Sequence, residues 1–465
     1  MVCDPREPAK SSQPYLWPSE ITAWAPAGPE RVAGGSLRHA LQRHGVWNPL
    51  QIAGRSWQVG CVALEITQRC NLDCELCYLS GHSEAVHDLP LQEIFRRIDS
   101  IKRLYGPGTN VQVTGGDPTL RRRDELIAIV RRLAEHGMRP ALFTNGIRAT
   151  RNLLTELADV GLDDVAFHVD MTQCRKGFVS EVALNTLRLE YLERTRGLPL
   201  RVFFNTTVTA ENLHEIPALA RFFIGHADVD HLASFQLQAD TGRSVKRRAA
   251  PWVNARAVSR LINQGAGVDL GFDFPHVGHP DCNRYTGCLV AGGAAVPLFD
   301  DPAFVAALLA RTEGIIFERH DQRALLRTCL SIALRNPRLW PSGLAFAARK
   351  LWQLRRGLLA SGGRLHKLSF HVHDFMDADR LERARCESCV FMAMTRDGPI
   401  SMCVHNAKRD VFILQPVTVR SGDGAEWWHP LGTATVPDPA SHPLKRLKGR
   451  TRTQILVRRR QVRSA

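Results

Sequence analysis

The chain has 465 residues, 44% of them hydrophobic, and is long enough to bury more than one hydrophobic core. Its first residues, MVCDPREPAKSSQPY, contain no apolar stretch typical of a secretory signal peptide, and no segment offers the ~20 consecutive apolar residues of a membrane-spanning helix. We therefore expect a cytoplasmic protein in which clustered members of the 12 cysteines bind metal rather than form disulfides.

The charge is strongly basic, with 61 Lys and Arg residues against 46 Asp and Glu, a net charge of +15. The segment from Lys445 to Arg463 alone holds nine basic and no acidic residues. Such a tail is typical of a solvated, partly disordered segment, and it also fits attraction to an anionic membrane surface or to nucleic acid. Nucleic acid is the less favoured partner because the tail has no aromatic side chain to stack on bases.

The first part of the chain predicts an α/β fold. Residues 1–56 form an irregular N-terminal lead-in, and from 57 to 240 short strand-like runs alternate with helical patterns. The predicted strands are 62–67, 110–114, 140–144, 164–169, 200–208 and 232–238, and the predicted helices are 91–104, 122–136, 151–160, 181–194 and 213–223. This alternation favours a partial (β/α)6 barrel over a doubly wound sheet.

The second part predicts additions to that barrel. Residues 241–380 are expected to form a hairpin and helical insertion, with a glycine-rich buried hairpin at 287–299 and helices over 301–370. Within them, 344–360 reads as a basic amphipathic helix that either packs on the barrel or lies on lipid headgroups. Residues 381–465 form a cysteine-containing C-terminal extension that ends in the basic tail.

Three cysteines follow the first predicted strand: Cys70, Cys74 and Cys77, within the segment CNLDCELCY. Three thiolates at this spacing ligate three irons of a [4Fe–4S] cluster and leave the fourth iron open to a bound molecule. The loop that follows a barrel strand is also where α/β barrels carry their chemistry. The segment resembles the signature of the radical S-adenosylmethionine (SAM) superfamily, and the resemblance implies a partial-barrel core with a [4Fe–4S] cluster and SAM as cofactors.

A glycine pair ends the second predicted strand, in the sequence Gly115-Gly116-Asp117-Pro118. By itself it predicts a tight turn that lets the backbone approach a ligand. One strand after the cysteine loop, it resembles the GGEP motif of the superfamily, with Asp in place of Glu. The resemblance implies that Gly115, Gly116 and Asp117 hold the amino group of SAM.

Polar residues at three later strand ends are further candidates for SAM binding. Asn145, Asp170 and Asn205 are expected at the barrel mouth, where relatives bind the ribose and carboxylate of SAM, although Asn and Asp are also ordinary turn residues. His168 is interpreted as a hydrogen-bonded wall residue rather than a base.

A second cysteine group lies late in the chain. Cys386 and Cys389 form a CxxC, Cys403 follows, and either Cys282 or Cys288 is available as a fourth ligand, of which we take Cys282. Four thiolates predict a zinc site, an iron site or an auxiliary iron–sulfur cluster. A chain that already carries one cluster favours iron.

Three short segments suggest a branch of the superfamily: LQADTGR at 237–243, HPDC at 279–282 and CVHN at 403–406. They resemble archaeal tetraether lipid synthases and the related pterin-type radical SAM methylases. The chain departs from that pattern because Cys386 and Cys389 are separated, Ser401-Met402 replace Pro-Phe, and an extra N-terminal cysteine cluster is missing.

These resemblances imply a radical SAM enzyme. It would cleave SAM reductively to a 5′-deoxyadenosyl radical, with electrons from a flavodoxin- or ferredoxin-type donor, and abstract hydrogen from an unactivated carbon. We expect a lipid or other hydrophobic substrate, modified by C–C coupling or alkylation, and a cytoplasmic protein with peripheral membrane contact. The alternatives are peptide or pterin modification, and a non-enzymatic iron–sulfur or zinc protein that binds nucleic acid through its tail.

Overall fold

The computed structural model describes residues 15–16, 36–245, 252–317, 321–421, 424–432 and 435–436. The basic tail at 445–463 lies outside these residues. After helix α1 (Ser36–Arg43), which lies within the predicted irregular lead-in, the chain builds one large sheet of 11 strands.

The first six strands of this sheet form a parallel, sequentially ordered barrel wall. They are β1 (Cys61–Thr67), β2 (Asn110–Gly115), β3 (Arg139–Thr144), β4 (Asp164–His168), β5 (Arg201–Val208) and β6 (Asp230–Leu237). The helices between them are α2 (Leu91–Tyr105), α3 (Arg123–Glu135), α4 (Arg151–Asp159), α5 (Asn185–Thr195) and α6 (Ile216–Gly225). The predicted partial (β/α)6 barrel is confirmed.

The core lies between the strands and these helices. Strand β1 is buried along its whole length, as expected for a parallel strand that is covered on both faces. On α2 the buried residues Ile94, Ile98 and Ile101 recur at three- and four-residue spacing, which places them on one side of the helix. Every buried side chain of this type contributes about 1.5–3 kcal/mol to the free energy of unfolding, so the barrel is a firm support for the loops at its rim.

The insertion and the C-terminal extension continue the same sheet across the predicted boundaries at 240 and 380. Strands β7 (Asn283–Ala291) and β8 (Ala294–Pro297) form the hairpin, and helices α7 (Ala255–Ala266), α8 (Pro302–Arg311), α9 (Gln322–Arg335) and α10 (Trp340–Ala360) flank it. Later come β9 (His366–His373), α11 (Arg383–Glu387), β10 (Phe391–Thr395), β11 (Gly398–Ser401), α12 (Met402–Ala407) and α13 (Arg409–Ile413).

Two of these later strands extend the barrel wall. Strand β9 pairs in parallel with β6, and β10 pairs in parallel with β1, so eight parallel strands stand side by side. The two ends of this row approach each other through side chains: the ring of Phe391 lies 4.9 Å from His373 and 6.0 Å from His371. The six-strand prediction therefore describes the core of a wider wall, to which the C-terminal part of the chain contributes.

Beyond that wall, the described residues end in the antiparallel strands β12 (Val417–Ser421), β13 (Gly424–Trp428) and β14 (Thr435–Val436). In the described part of the chain, no helix is both long and apolar enough to cross a membrane.

Candidate active site

The site is a cavity of about 230 Å³ at the carboxyl ends of the barrel strands. Cys70, Cys74 and Cys77 line it together with Gly115 and Gly116, so the loop after β1 and the turn after β2 face the same space. The position agrees with the rule that parallel barrels carry their functional groups at this end.

The glycine pair lies against the backbone of the cysteine loop. A Cβ atom on Gly116 would lie 1.9 Å from the carbonyl oxygen of Arg69, and one on Gly115 would lie 2.0 Å from that of Thr67. The N–H of Gly116 donates to Thr67 O at 2.8 Å. The missing side chains thus let the turn after β2 touch the backbone at the base of the cysteine loop, while both glycines also border the cavity.

Tyr78, directly after the last loop cysteine, fastens the other end of the loop. Its hydroxyl donates to the carbonyl oxygen of Gly115 at 2.6 Å, and the guanidinium of Arg409 lies 4.4 Å above its ring. Arg409 also forms an ion pair with the buried carboxylate of Glu65, in the middle of β1. The C-terminal extension therefore braces the cysteine loop, which the sequence did not indicate because Arg409 carries no motif.

The three loop thiols suit a positively charged group such as a cluster of iron ions. Loss of surrounding water raises the pKa of Cys70 to about 11, and it raises the pKa of Cys74 well above its ordinary value, assisted by the neighbouring Cys77 and Cys70. Thiolates that repel one another in this way require positive charge to remain deprotonated. Among the described residues, no set of three or more His, Cys, Asp or Glu side chains is arranged to hold a single metal ion.

Arg243 lies beside this cysteine loop, although it is 166 residues further along the chain than Cys77. It forms a hydrogen bond with Cys77, lies 3.8 Å from Asp73 and is nearly buried. Next to it, Ser244 Oγ accepts a hydrogen bond from the Cys77 N–H at 3.0 Å. The sequence contained the segment TGR but did not assign this role to its arginine.

Asp117 and Asp170 are not placed as SAM ligands, and neither borders the cavity. The Asp117 carboxylate is buried and accepts hydrogen bonds from Thr119, from the Thr144 hydroxyl and from the Asn145 N–H. Asp170 behaves in the same way after β4 and accepts a hydrogen bond from the Thr207 N–H of β5. Each aspartate thus caps the short turn after its own strand and holds the end of the next strand, which stabilises the rim of the barrel. This turn chemistry was the alternative that the sequence had left open.

Asn145 and Asn205 do line the cavity, as does His168. The Asn145 amide donates to Asn71 Oδ1 at 2.7 Å and lies 3.9 Å from the sulfur of Cys70, so it borders the cysteine loop directly. His168 is a hydrogen-bonded wall residue, as interpreted from the sequence, and its Nε2 donates to Asp170 at 2.6 Å. Burial disfavours the charged imidazole, but the Asp170 carboxylate outweighs burial and raises the pKa of His168.

The second cysteine group also comes together in space. Cys282, Cys386, Cys389 and Cys403 are close enough to influence one another electrostatically, and burial is the main cause that raises the pKa of Cys282 to about 12. Cys288 lies apart, in the middle of β7, where its thiol donates to Leu368 O at 3.6 Å. The structure therefore places Cys282, and not Cys288, with the other three.

This second group shares two features with the first. Cys403, together with Met402 and Asn406 of α12, lines the same cavity as the loop cysteines. An arginine accompanies it, because Arg385 Nε lies 3.2 Å from the sulfur of Cys282 and its charge also acts on Cys403. Both groups thus combine several thiols with one guanidinium, and they meet at one cavity.

Comparison with known proteins identifies the barrel. Residues 64–223 match the family model described as the Radical SAM superfamily. The chain is 29% identical over 197 residues to a PqqA peptide cyclase of Bradyrhizobium diazoefficiens, which covers 41% of this chain and 49% of that protein. It is 27% identical over 186 residues to the 7,8-dihydro-6-hydroxymethylpterin dimethyltransferase of Methanocaldococcus jannaschii, which covers 39% and 36%.

Among solved structures, Streptococcus suis SuiB bound to its precursor peptide SuiA has a TM-score of 0.37 at 14% identity and covers 49% of this chain and 48% of that one. The chain spans about half the length, or less, of the curated relatives it matches. The matched segment contains Cys70, Cys74, Cys77 and the glycine pair. The segment 64–223, which forms most of the barrel, therefore matches the radical SAM superfamily.

Proposed function

We propose that this chain binds a [4Fe–4S] cluster through Cys70, Cys74 and Cys77 and uses it to cleave SAM reductively next to a polar organic substrate. The observation that carries the proposal is the single cavity shared by the three loop thiols, the glycine pair and Asn145. When bound, the cluster supplies the electron that converts SAM to methionine and a 5′-deoxyadenosyl radical, which abstracts hydrogen from the substrate.

The residues of the chain position these partners. Gly115 and Gly116 border the cavity and hold the base of the cysteine loop close to the strand end, so that their backbone groups are available to SAM. Asn145 and Asn205 offer amide groups that hydrogen-bond a ribose or a carboxylate. Arg243 neutralises part of the charge of the thiolates, and the apolar side chains of Phe143, Phe375 and Met376 limit the access of water to the cavity.

The comparisons do not support the lipid substrate expected from the sequence. The two curated relatives carry the names of a peptide cyclase and a pterin methyltransferase. The cavity wall is mostly apolar but includes Gln112 and Gln236, whose amide groups can hydrogen-bond a peptide or a heterocycle and would be left unpaired by an acyl chain. We propose a peptide as the substrate, with a pterin-like heterocycle as the second candidate.

We further propose that Cys282, Cys386, Cys389 and Cys403 hold an auxiliary iron–sulfur cluster. Support comes from the proximity of the four thiols and from Cys403, which reaches the wall of the reaction cavity. A cluster there would lie within reach of the substrate and could accept the electron that remains when a substrate radical is oxidised to product.

The experiment is anaerobic reconstitution with iron and sulfide, followed by incubation with SAM and dithionite. We expect 5′-deoxyadenosine and methionine in equal amounts, measured by liquid chromatography. A reconstituted protein that contains iron and forms no 5′-deoxyadenosine contradicts the proposed function.

The auxiliary cluster is tested separately by counting iron and sulfide in the wild type and in a Cys386→Ala/Cys389→Ala variant. We expect the variant to lose about half of the iron, since one of two four-iron clusters is removed, and to retain SAM cleavage. An unchanged iron content rules out the second cluster and leaves the first unaffected.

A further inference from the structure

The helices of the insertion expose a basic and apolar surface that the proposed function does not use. It consists of α9 and α10, which lie between residues 322 and 360 and are linked by a hydrogen bond from the Trp340 indole to Ala333 O at 2.8 Å. We call it the α9–α10 surface.

Helix α9 has no buried residue among those whose exposure is described. Leu326, Leu330 and Leu334 recur at every fourth position, so they form one stripe along the helix, and they are 69%, 56% and 62% exposed. An isolated helix of 14 residues is only marginally stable in water. A stripe of three leucines on such a helix indicates that something apolar covers it.

Helix α10 continues the surface with its outer side. Its inner side packs on the β7–β8 hairpin, where Leu354 and Gly357 are buried. Its outer side presents Leu344, Trp352 and Leu359, which are 70%, 67% and 84% exposed, at helical spacing. These side chains do not serve the packing of the helix onto the barrel.

The charged residues of α9, α10 and their connection are all basic. Residues 322–360 contain eight Arg and Lys residues and no Asp or Glu. Arg349 and Lys350 pair with Asp300, which leaves six arginines, and Arg355 stacks on the exposed ring of Trp352 at 3.9 Å. The two helices thus expose apolar side chains, a tryptophan and six arginines, a combination that matches the interfacial region of an anionic bilayer, where arginines bind headgroups and the apolar side chains enter the acyl boundary.

We propose that the α9–α10 surface binds the protein peripherally to an anionic lipid bilayer. Charge favours the bilayer, because a second copy that presented the same surface, or residues 445–463, would bring further positive charge to it. The inference concerns location and is independent of the substrate, so an enzyme that acts on a polar substrate can work at the membrane surface.

The test uses the full-length protein and co-sedimentation with vesicles of phosphatidylcholine, with or without phosphatidylglycerol. The variant Leu330→Ser/Leu351→Ser/Trp352→Ser removes apolar side chains from the surface, among them Leu351 of α10, which is 57% exposed, and keeps every charge, including those of the tail. The matched control is Val179→Ser/Trp252→Ser, which removes side chains that are 88% and 59% exposed elsewhere.

We expect the wild type and the control to bind vesicles that contain phosphatidylglycerol, and the triple variant to bind them at least about tenfold more weakly. The proposal is overturned if the triple variant binds like the wild type, or if phosphatidylcholine alone binds equally well. It is also overturned if the wild type binds no vesicle; a wild-type dimer in light scattering that the triple variant loses would then identify a second copy as the occupant of the surface.

Discussion

The two cysteine groups of this protein are built in opposite ways around one cavity. Cys70, Cys74 and Cys77 lie within eight consecutive residues on one loop, whereas Cys282, Cys386, Cys389 and Cys403 come from three separate parts of the chain. Each group nevertheless has one arginine beside it, Arg243 or Arg385. The comparison shows that the first site can be predicted from the spacing of its cysteines in the sequence. The full set of cysteines in the second site can be recognised only after strand pairing has brought distant segments together.

The largest effect is expected for the loop group. Cys74→Ala removes one of the three proposed ligands and should lower 5′-deoxyadenosine formation by at least about a thousandfold, because no other residue in the loop replaces a thiolate. The exposed Cys329 provides the control, and Cys329→Ala should retain activity. Substantial SAM cleavage by the Cys74 variant would contradict the ligand assignment.

The next effect concerns the backbone that supports the loop. In Gly116→Ala the new Cβ meets the Arg69 carbonyl oxygen at 1.9 Å, so the base of the loop must shift. We expect a loss of cluster iron and about a hundredfold slower SAM cleavage, in the range that a misplacement of about 1 Å causes.

The matched control for that variant is Gly225→Ala, at the end of α6, where an added Cβ has no neighbour within 4 Å. It should leave iron content and cleavage unchanged. Equal behaviour of the two glycine variants would show that the close approach of the turn to the loop has no functional consequence.

A smaller effect on the rate of SAM cleavage should distinguish Arg243 from Arg385. Arg243→Gln removes a positive charge from the loop thiolates and should slow SAM cleavage by about tenfold, the size expected for one nearby charge. Arg385→Gln should leave cleavage within about twofold of the wild type and alter only the electron paramagnetic resonance signal of the proposed auxiliary cluster. If both variants had the same effect on cleavage, the two groups would not be functionally distinct.

The smallest expected effect is a change in the pKa of a histidine, measured in the metal-free protein. The two histidines compared are His168 and His371. The pKa of His168 is raised by Asp170, whereas burial alone lowers the pKa of His371, on β9, to about 3. We expect NMR to show His168 titrating above its ordinary value near 6.5 and His371 remaining neutral at that pH. Asp170→Asn should lower the pKa of His168 and leave His371 unchanged.

The raised pKa of His168 also predicts how the free energy of unfolding depends on pH. A raised folded-state pKa means that the charged His168–Asp170 pair stabilises the fold fully below pH 6.5 and loses this contribution as the pH rises through the folded pKa. The difference in free energy of unfolding between the wild type and His168→Gln should therefore fall with rising pH above neutrality. A difference that grows with pH would contradict the assigned interaction.

Much of the fold could be predicted because its signals are local. The six strands and five helices of the core were predicted close to their observed limits, since buried parallel strands read as short apolar runs and the helices carry apolar residues at three- and four-residue spacing. The strands β9 and β10 were missed as parts of the wall, because their pairing with β6 and β1 joins residues more than a hundred positions apart.

What the sequence by itself determined is the cysteine loop and its glycine turn, where spacing alone places three thiols on one loop at a strand end. Only the tertiary structure decided between Cys282 and Cys288, brought Arg243 to the cysteine loop and Cys403 to the cavity, and showed that Asp117 and Asp170 accept hydrogen bonds from the neighbouring strand ends. The physical reason is that hydrogen-bond partners and electrostatic neighbours depend on which strands pair and which side chains the resulting cavity exposes, and a linear pattern contains neither.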